Sequence, residues 1–227
     1  EYTTVAANDS TWKIHLNTPP ASNRSFVLTV ISGKEKKELN DVVIGEVWLC
    51  SGQSNMEMPM KGFPSQPVLN GLDDIVRSNN PQIRCFTVKK NSQINPQYDC
   101  EGVWEKASPN TTSEFTATGY YFARLLQEVL QVPVGIIHSS WGGASIEAWM
   151  PRECFTEFPQ IKVPKNQEEL NPKHQVATGL YNGMINPLVG YTLKGVIWYQ
   201  GETNASRYRS YPMLFKSMHR AWNEVWG

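Results

Sequence analysis

Residues 45–56 read GEVWLCSGQSNM, and this stretch indicates the fold class. Its first half contains a short apolar segment, residues 47–50, and the small residues Ser51 and Gly52 then favour a turn. Similar short apolar segments follow at residues 83–88, 132–137 and 193–199. Each has the length and composition of a β-strand that is buried on both faces.

Segments with helical periodicity alternate with these strands. Apolar side chains recur at helical spacing over residues 116–130 and 210–226, and residues 175–184 show a weaker helical pattern. Such alternation is typical of a parallel sheet with helices on both faces. The sequence therefore predicts an α/β fold with a doubly wound parallel sheet, and we assign residues 45–227 to this domain.

The first part of the chain, residues 1–44, has a β pattern instead. Residues 12–16 alternate apolar and polar side chains, and the segments 26–31 and 38–44 flank a turn. Two or three strands are marginally stable alone. We therefore predict a small N-terminal β segment, which is either part of a larger β domain or a flap on the α/β domain.

Composition argues against several classes of partner. The chain has 227 residues, of which 40% are hydrophobic and 11% aromatic, so it can bury a core. Its 21 basic and 21 acidic residues cancel, so no charge excess indicates a nucleic acid partner. No apolar run approaches the roughly 18–20 residues of a membrane span. We predict neither nucleic acid nor membrane as a partner, and the sequence does not indicate an oligomeric state.

The four cysteines form no Cys-x-x-Cys pair, so the sequence predicts no zinc site. Cys85 and Cys100 flank a loop, and they are either joined in a disulfide or free thiols. Asn-x-Ser/Thr sequons either mark a secreted protein or arise by chance. They begin at Asn8, Asn23, Asn110 and Asn204.

Three predicted strands end in loops of small and polar residues. The loops are residues 52–56, 142–143 and 200–204. In an open parallel sheet, ligands bind beyond the carboxyl ends of the strands. We therefore expect the three loops to converge on one site.

Ser54 is the candidate nucleophile in the first loop. A hydroxyl on a turn after a strand projects into the cleft, where a general base must take its proton. On these residues alone, Ser54 is either the nucleophile or a helix cap. Cys50 is a weaker candidate because burial within a strand raises the pKa of a thiol.

Candidate oxyanion donors lie in the other two loops. Gly143, or its neighbour Gly142, brings a backbone N–H close to a substrate oxygen because no side chain intervenes. Gln200 and Asn204 each carry an amide that is able to donate to the same oxygen. An ordinary glycine turn and backbone-bonded amides remain alternative interpretations. The candidate substrate-binding residues are Gln53, Asn55, Gly142, Glu147 and Glu202.

These loops resemble three ordered blocks of the sialate O-acetylesterases in the SGNH hydrolase superfamily. The blocks are residues 45–56, residues 139–149 (SSWGGASIEAW) and residues 198–204 (WYQGETN), and the likeness covers about residues 12–226. The resemblance implies an SGNH or flavodoxin-like fold that needs no metal or organic cofactor. It also implies removal of acetyl groups from sugar hydroxyls through an acetyl-serine intermediate.

The same resemblance assigns roles to individual residues. It implies that Ser54 attacks the ester, and that the oxyanion hole consists of the Ser54 N–H, the Gly143 N–H and the amide of Gln200 or Asn204. The substrate class would be an O-acetylated carbohydrate. A secreted or periplasmic location follows from the glycan substrates of the family.

The family also implies a late histidine that is preceded by an Asp or Glu. The histidines of this chain are His15, His138, His174 and His219, and none lies in such a segment. We expect the catalytic His and its acidic partner to lie beyond Gly227, and the first part of the family's N-terminal β domain to be missing. We then expect little turnover from these residues alone, since a Ser–His–Asp unit lacking one member keeps only about 10³–10⁴-fold catalysis over water.

Two other functions remain open. One is an acetyl xylan esterase, because related esterases share these motifs. The other is a non-catalytic glycan-binding module on an esterase-like fold. The eight Trp and nine Tyr residues suit stacking on sugar rings, but core packing explains them equally well.

Overall fold

The structure is a computed structural model that describes residues 1–8 and 10–227. The strands are β1 (Ser22–Ser32), β2 (Glu35–Ile44), β3 (Glu46–Gly52), β4 (Asn80–Thr87), β5 (Trp104–Ala107), β6 (Val134–Ser140) and β7 (Gly195–Tyr199). The α-helices are α1 (Ser54–Glu57), α2 (Gly71–Val76), α3 (Ala117–Leu130) and α4 (Tyr211–Trp226). Short 3₁₀ turns cover Thr112–Glu114, Ile146–Trp149, Arg152–Thr156, Gln167–Glu169, Asn186–Leu188 and Glu202–Arg207, and a π-helical turn covers Tyr181–Ile185.

The main sheet has five strands in the order β5–β4–β6–β3–β7. Strands β4, β6, β3 and β7 run parallel, and β5 pairs antiparallel with β4 at one edge. The four parallel strands are those expected from the apolar segments at residues 47–50, 83–88, 132–137 and 193–199. This confirms the predicted α/β fold.

Both faces of the sheet are covered by apolar layers. Leu49 and Ile137 join a cluster that includes Trp222 of α4, whereas Cys50 and Ile136 join a cluster on the α3 side. Adjacent residues enter opposite layers because side chains alternate along a strand. The sheet is therefore doubly wound, as predicted.

The N-terminal strands β1 and β2 form a separate antiparallel hairpin. Its Asp41 accepts hydrogen bonds from Arg84 of β4 and Lys106 of β5, at 3.2 and 2.8 Å. The Lys106 ammonium is the main reason that the pKa of the Asp41 carboxyl lies below its usual range. These ion pairs join the hairpin to the main sheet. The proposed division at residues 44 and 45 stays a prediction.

The strand expected at residues 12–16 was wrong. In the part of the chain that the structure describes, these residues form no strand, and Trp12 is 56% exposed. Alternating side chains alone do not make a strand, because the backbone also needs a neighbouring strand for its hydrogen bonds. The weak helix expected at residues 175–184 is helical only near its end, where the π-helical turn Tyr181–Ile185 begins.

All four cysteines are free thiols, so of the two interpretations left open for Cys85 and Cys100 the structure favours the free thiols. Cys50 is fully buried on the α3 side of β3, and this burial raises the pKa of its thiol. A buried, protonated thiol is a poor nucleophile. None of the described helices combines the length and apolar character that a membrane crossing requires.

Gly52, at the end of β3, lies very close to the backbone of the neighbouring strand β7. Its φ is +140°, and a Cβ at this position would overlap the carbonyl oxygen of Tyr199 on β7. We expect Gly52→Ala to lower the free energy of unfolding by about 3 kcal/mol, measured by urea denaturation. Gly33→Ala is the control. Its φ is +58° with no atom near the new Cβ, so only the conformational cost of about 1 kcal/mol remains. Equal losses for the two variants would contradict the overlap argument.

Candidate active site

The carboxyl ends of three neighbouring strands lie in register. Gly52 of β3 pairs with Ser140 of β6 on one side and with Tyr199 of β7 on the other. Each strand then enters a loop, so three loops begin side by side at one edge of the sheet. They are residues 53–57, 141–143 and 200–204.

Ser54 is the first residue of α1, and its side chain is half-buried. The residue before it, Gln53, occupies the N-cap position, so Ser54 is not the helix cap. The N–H of Gln53 donates to Tyr199 O at 3.0 Å, and its Oε1 accepts from the N–H groups of Gly201 and Thr203 at 3.4 and 3.3 Å. Gln53 is therefore a buried link between the first and third loops. Its predicted role in binding substrate has no direct support from these contacts.

The second loop, residues 141–143, is called the glycine loop here, and it lies directly against Ser54. A Cβ added to Gly142 would stand 3.6 Å from the Ser54 Cβ. The Gly142 N–H donates to the carboxylate of Glu57, one turn after Ser54, and Lys90 Nζ donates to the same carboxylate at 2.6 Å. Glu57 therefore connects helix α1 to the glycine loop.

The backbone N–H groups of Ser54, at the start of α1, and of Gly143, next to Gly142, have no partner within residues 1–8 and 10–227. Gly143 has φ +73°, and its carbonyl accepts from Gln175 Nε2 at 3.2 Å. Since Glu57 already occupies the Gly142 N–H, the glycine donor available to a substrate is Gly143.

Of the two candidate amides, only Asn204 has an N–H to spare. Gln200 Nε2 donates to Ala144 O at 3.1 Å and to Asn204 Oδ1 at 2.8 Å, which uses both of its hydrogens. Asn204 Oδ1 also accepts from the Ile146 N–H, and its Nδ2 donates one hydrogen to Glu147 at 2.9 Å. The second Asn204 hydrogen has no partner among the described residues. These contacts argue against Gln200 as an oxyanion donor and make it a residue that positions Asn204.

The other predicted binding residues differ in how they are placed. Glu147 is buried, and its carboxylate holds both Asn204 and Arg207, the latter at 3.2 Å. Asn55 and Glu202 are hydrogen-bonded to each other across the first and third loops. This pair lies nearer to solvent than Glu147, since Glu202 is exposed and Asn55 is half-buried.

His174 is the residue near the site that the sequence reasoning missed. Its ring stacks on Trp141 with centroids 6.2 Å apart, and its Nε2 lies 3.2 Å from where a Gly143 Cβ would stand. In contrast, His138 is buried and bonded to Ser140 Oγ at 2.6 Å, and burial lowers its pKa to about 4. His15 lies in the N-terminal segment and His219 on α4. Within the described chain, no hydrogen bond joins any histidine to the Ser54 hydroxyl.

The contacts of Glu57 lead to a kinetic prediction. We expect Glu57→Gln to lower kcat about tenfold with little change in KM, because a neutral amide holds the Gly142 N–H less firmly than a carboxylate. Acetate release from an aryl acetate measures this in the intact protein, by which we mean the full natural chain that contains residues 1–227. Glu114→Gln is a matched control, since Glu114 pairs with Lys61 at the same 2.6 Å away from these loops. An unchanged kcat in Glu57→Gln would contradict the role of Glu57.

No group of three or more His, Cys, Asp or Glu residues in the described ranges is arranged to hold a metal ion. Serine, backbone amides and a side-chain amide are the parts of an acyl-transfer site. The expectation that no cofactor takes part stays a prediction.

Known proteins resemble this chain over most of its length. The model of a carbohydrate esterase family, the sialic acid-specific acetylesterases, matches residues 44–224. Sialate O-acetylesterase from Homo sapiens is 33% identical over 246 aligned positions, which cover 98% of this chain and 44% of that protein. The enzyme of the same name from Rattus norvegicus is 30% identical, with 98% and 48% covered.

A solved structure is similar as well. The crystal structure of a carbohydrate acetylesterase from Xanthomonas citri superposes with a TM-score of 0.84 and 37% sequence identity. The match covers 96% of this chain and 47% of that one. The chain thus spans about half the length of the relatives it matches.

Proposed function

This chain belongs to the carbohydrate esterase family of sialic acid-specific acetylesterases, and we propose that it supplies the nucleophile and the oxyanion donors of an enzyme that removes acetyl groups from the hydroxyls of sugars. Ser54 is the nucleophile in this proposal. The proposed substrate is an O-acetylated carbohydrate. O-acetylated sialic acid is the first candidate, because the relatives are named sialate O-acetylesterases. The same reasoning favours a secreted or periplasmic location.

The reaction follows from the donors that surround Ser54. Its hydroxyl oxygen attacks the acetyl carbonyl carbon while a general base takes its proton, and the carbonyl oxygen becomes an oxyanion. The N–H groups of Ser54 and Gly143 and the spare N–H of Asn204 bind that oxyanion. Collapse breaks the bond to the sugar oxygen, which leaves as a hydroxyl after it is protonated. Water then hydrolyses the acetyl-serine to acetate and free Ser54.

One observation carries the proposal. The loops that hold Ser54, Gly143 and Asn204 follow strand ends that pair in register, and each loop carries an N–H without a partner in the described ranges. Buried or half-buried donors usually have partners. Donors that lack them beside a nucleophile are suited to a charge that exists only during the reaction.

Acetate release by the intact protein tests the proposal. We expect release from O-acetylated sialic acid and from p-nitrophenyl acetate. Faster release from acetylated xylan would favour the acetyl xylan esterase instead. Binding of the acetylated sugars without any release of acetate would support the non-catalytic glycan-binding module and refute the esterase.

A further inference from the structure

A polar cavity of about 420 Å³ has two wall residues, Glu147 and Gln175, that contact the proposed oxyanion donors. This volume falls within the range of about 300–1,000 Å³ that is typical of small-molecule sites. Its walls combine charged and amide side chains, such as Glu147 and Gln175, with apolar ones, such as Ile161 and Val176. A mixture of this kind suits a sugar, which presents both hydroxyls and C–H faces.

Two wall residues connect the cavity to the proposed oxyanion hole. Gln175 Nε2 donates to Gly143 O at 3.2 Å, and Glu147 accepts from Asn204 Nδ2 at 2.9 Å. Each is therefore one hydrogen bond from a proposed oxyanion donor. These two contacts make the cavity the candidate space for the sugar of an ester whose acetyl group lies at Ser54.

The charges of the cavity favour an uncharged ligand group. Its two cations are already paired, Arg207 with Glu147 at 3.2 Å and Lys162 with Glu169 at 3.2 Å. The third carboxylate, Glu168, has no ion-pair partner among the described residues and is exposed. Three carboxylates against two cations leave an excess of one negative charge. A ligand carboxylate would be repelled, whereas a hydroxyl is able to donate to Glu168.

We propose that this cavity is a sugar subsite, which binds an uncharged, hydroxyl-rich part of the substrate while the acetyl group lies at Ser54. In a neutral sugar that part is a pyranose ring. In an acidic sugar it is the hydroxyl-bearing portion, and the carboxylate lies outside the cavity. The assignment rests on the proposed esterase function and adds to it where the sugar binds.

The direction in which Glu168→Ala changes kcat/KM tests the subsite. We expect Glu168→Ala to lower kcat/KM about tenfold for two esters, acetylated xylo-oligosaccharide and O-acetylated sialic acid, because each loses a hydrogen bond to a charged acceptor. Turnover of p-nitrophenyl acetate, which has no sugar, stays unchanged. Glu168→Gln keeps an acceptor oxygen, although an uncharged one, and is expected to recover part of the lost kcat/KM. Glu128 is an exposed carboxylate on α3, and Glu128→Ala is the control, for which we expect unchanged turnover of all three substrates.

Two results would overturn the subsite. Sugar esters unaffected by Glu168→Ala would show that the cavity does not bind them. Faster turnover of O-acetylated sialic acid alone would show that the cavity takes the carboxylate, since removing Glu168 would relieve repulsion.

A binding measurement separates this inference from the esterase function. The measurement needs no turnover, so it uses the Ser54→Ala variant. NMR titration of this variant with methyl β-xyloside is expected to shift signals of the cavity residues. Adding Glu168→Ala should weaken that binding about tenfold. Intact wild-type protein that releases no acetate would refute the esterase, and the titration would still decide the subsite. No shift at the cavity residues would refute the subsite.

Discussion

Ser54→Ala is expected to lower kcat for acetyl ester hydrolysis by about 10⁴-fold or more while the fold is retained. In the proposed mechanism the substitution removes the atom that forms the acetyl-enzyme bond, and the proposed oxyanion donors alone would give only residual catalysis. Stability should change little, because the Ser54 side chain is half-buried and no described residue hydrogen-bonds its hydroxyl. Initial rates of acetate release from p-nitrophenyl acetate by the intact protein measure the loss.

Ser51→Ala is the matched control for this experiment. Ser51 lies three residues earlier, at the end of β3, and its hydroxyl is buried with no hydrogen-bond partner in the described ranges. Its removal therefore costs no bond, so we expect kcat and the free energy of unfolding to stay near the wild-type values. If Ser54→Ala retained more than about one hundredth of the wild-type kcat, the nucleophile would have to be another residue.

Asn204→Ala is expected to have the second largest effect on catalysis, a loss of about 10²–10³ in kcat. The loss is expected because the second N–H of this amide is the proposed side-chain donor to the oxyanion. The same change leaves the N–H of Ile146 without a partner and removes one of the two partners of Glu147, which keeps Arg207, so it should lower the free energy of unfolding by about 2 kcal/mol. Rates must therefore be measured well below the unfolding midpoint, with urea denaturation run alongside.

Gln200→Ala distinguishes donor from support. Both hydrogens of Gln200 are used within the protein, and one of them holds Asn204 Oδ1. We therefore expect a smaller loss in kcat, about tenfold, because the change acts only through the position of Asn204. A larger loss in Gln200→Ala than in Asn204→Ala would reverse the two roles.

The parallel sheet was predictable because its signal is local. Each central strand is a run of apolar residues bounded by turn residues, and helices α3 and α4 have apolar stripes at helical spacing. The convergence of the three loops followed from the general geometry of parallel sheets. The family resemblance then singled out Ser54 among the serines of the chain.

The features that the sequence did not reveal depend on distant contacts. Strand β5 contains only four residues, Trp104–Ala107, and exists because β4 offers it an edge. Nothing in the spacing of the chain relates His174 to Trp141. The choice of Gly143 over Gly142, and of Asn204 over Gln200, rests on which N–H groups other side chains already occupy, and such pairing is visible only in three dimensions. The position of the general base stays a prediction.

The in-register ends of β3, β6 and β7 have a consequence for heat inactivation. Strand β3, which leads into Ser54, lies between two neighbours and sends alternate side chains into both apolar layers. Local opening of such a strand requires loss of both layers, so it costs nearly as much as unfolding the whole domain. Catalytic geometry and global cooperativity are thereby coupled: warming the protein should remove function and tertiary structure in a single transition, with no inactive native-like intermediate.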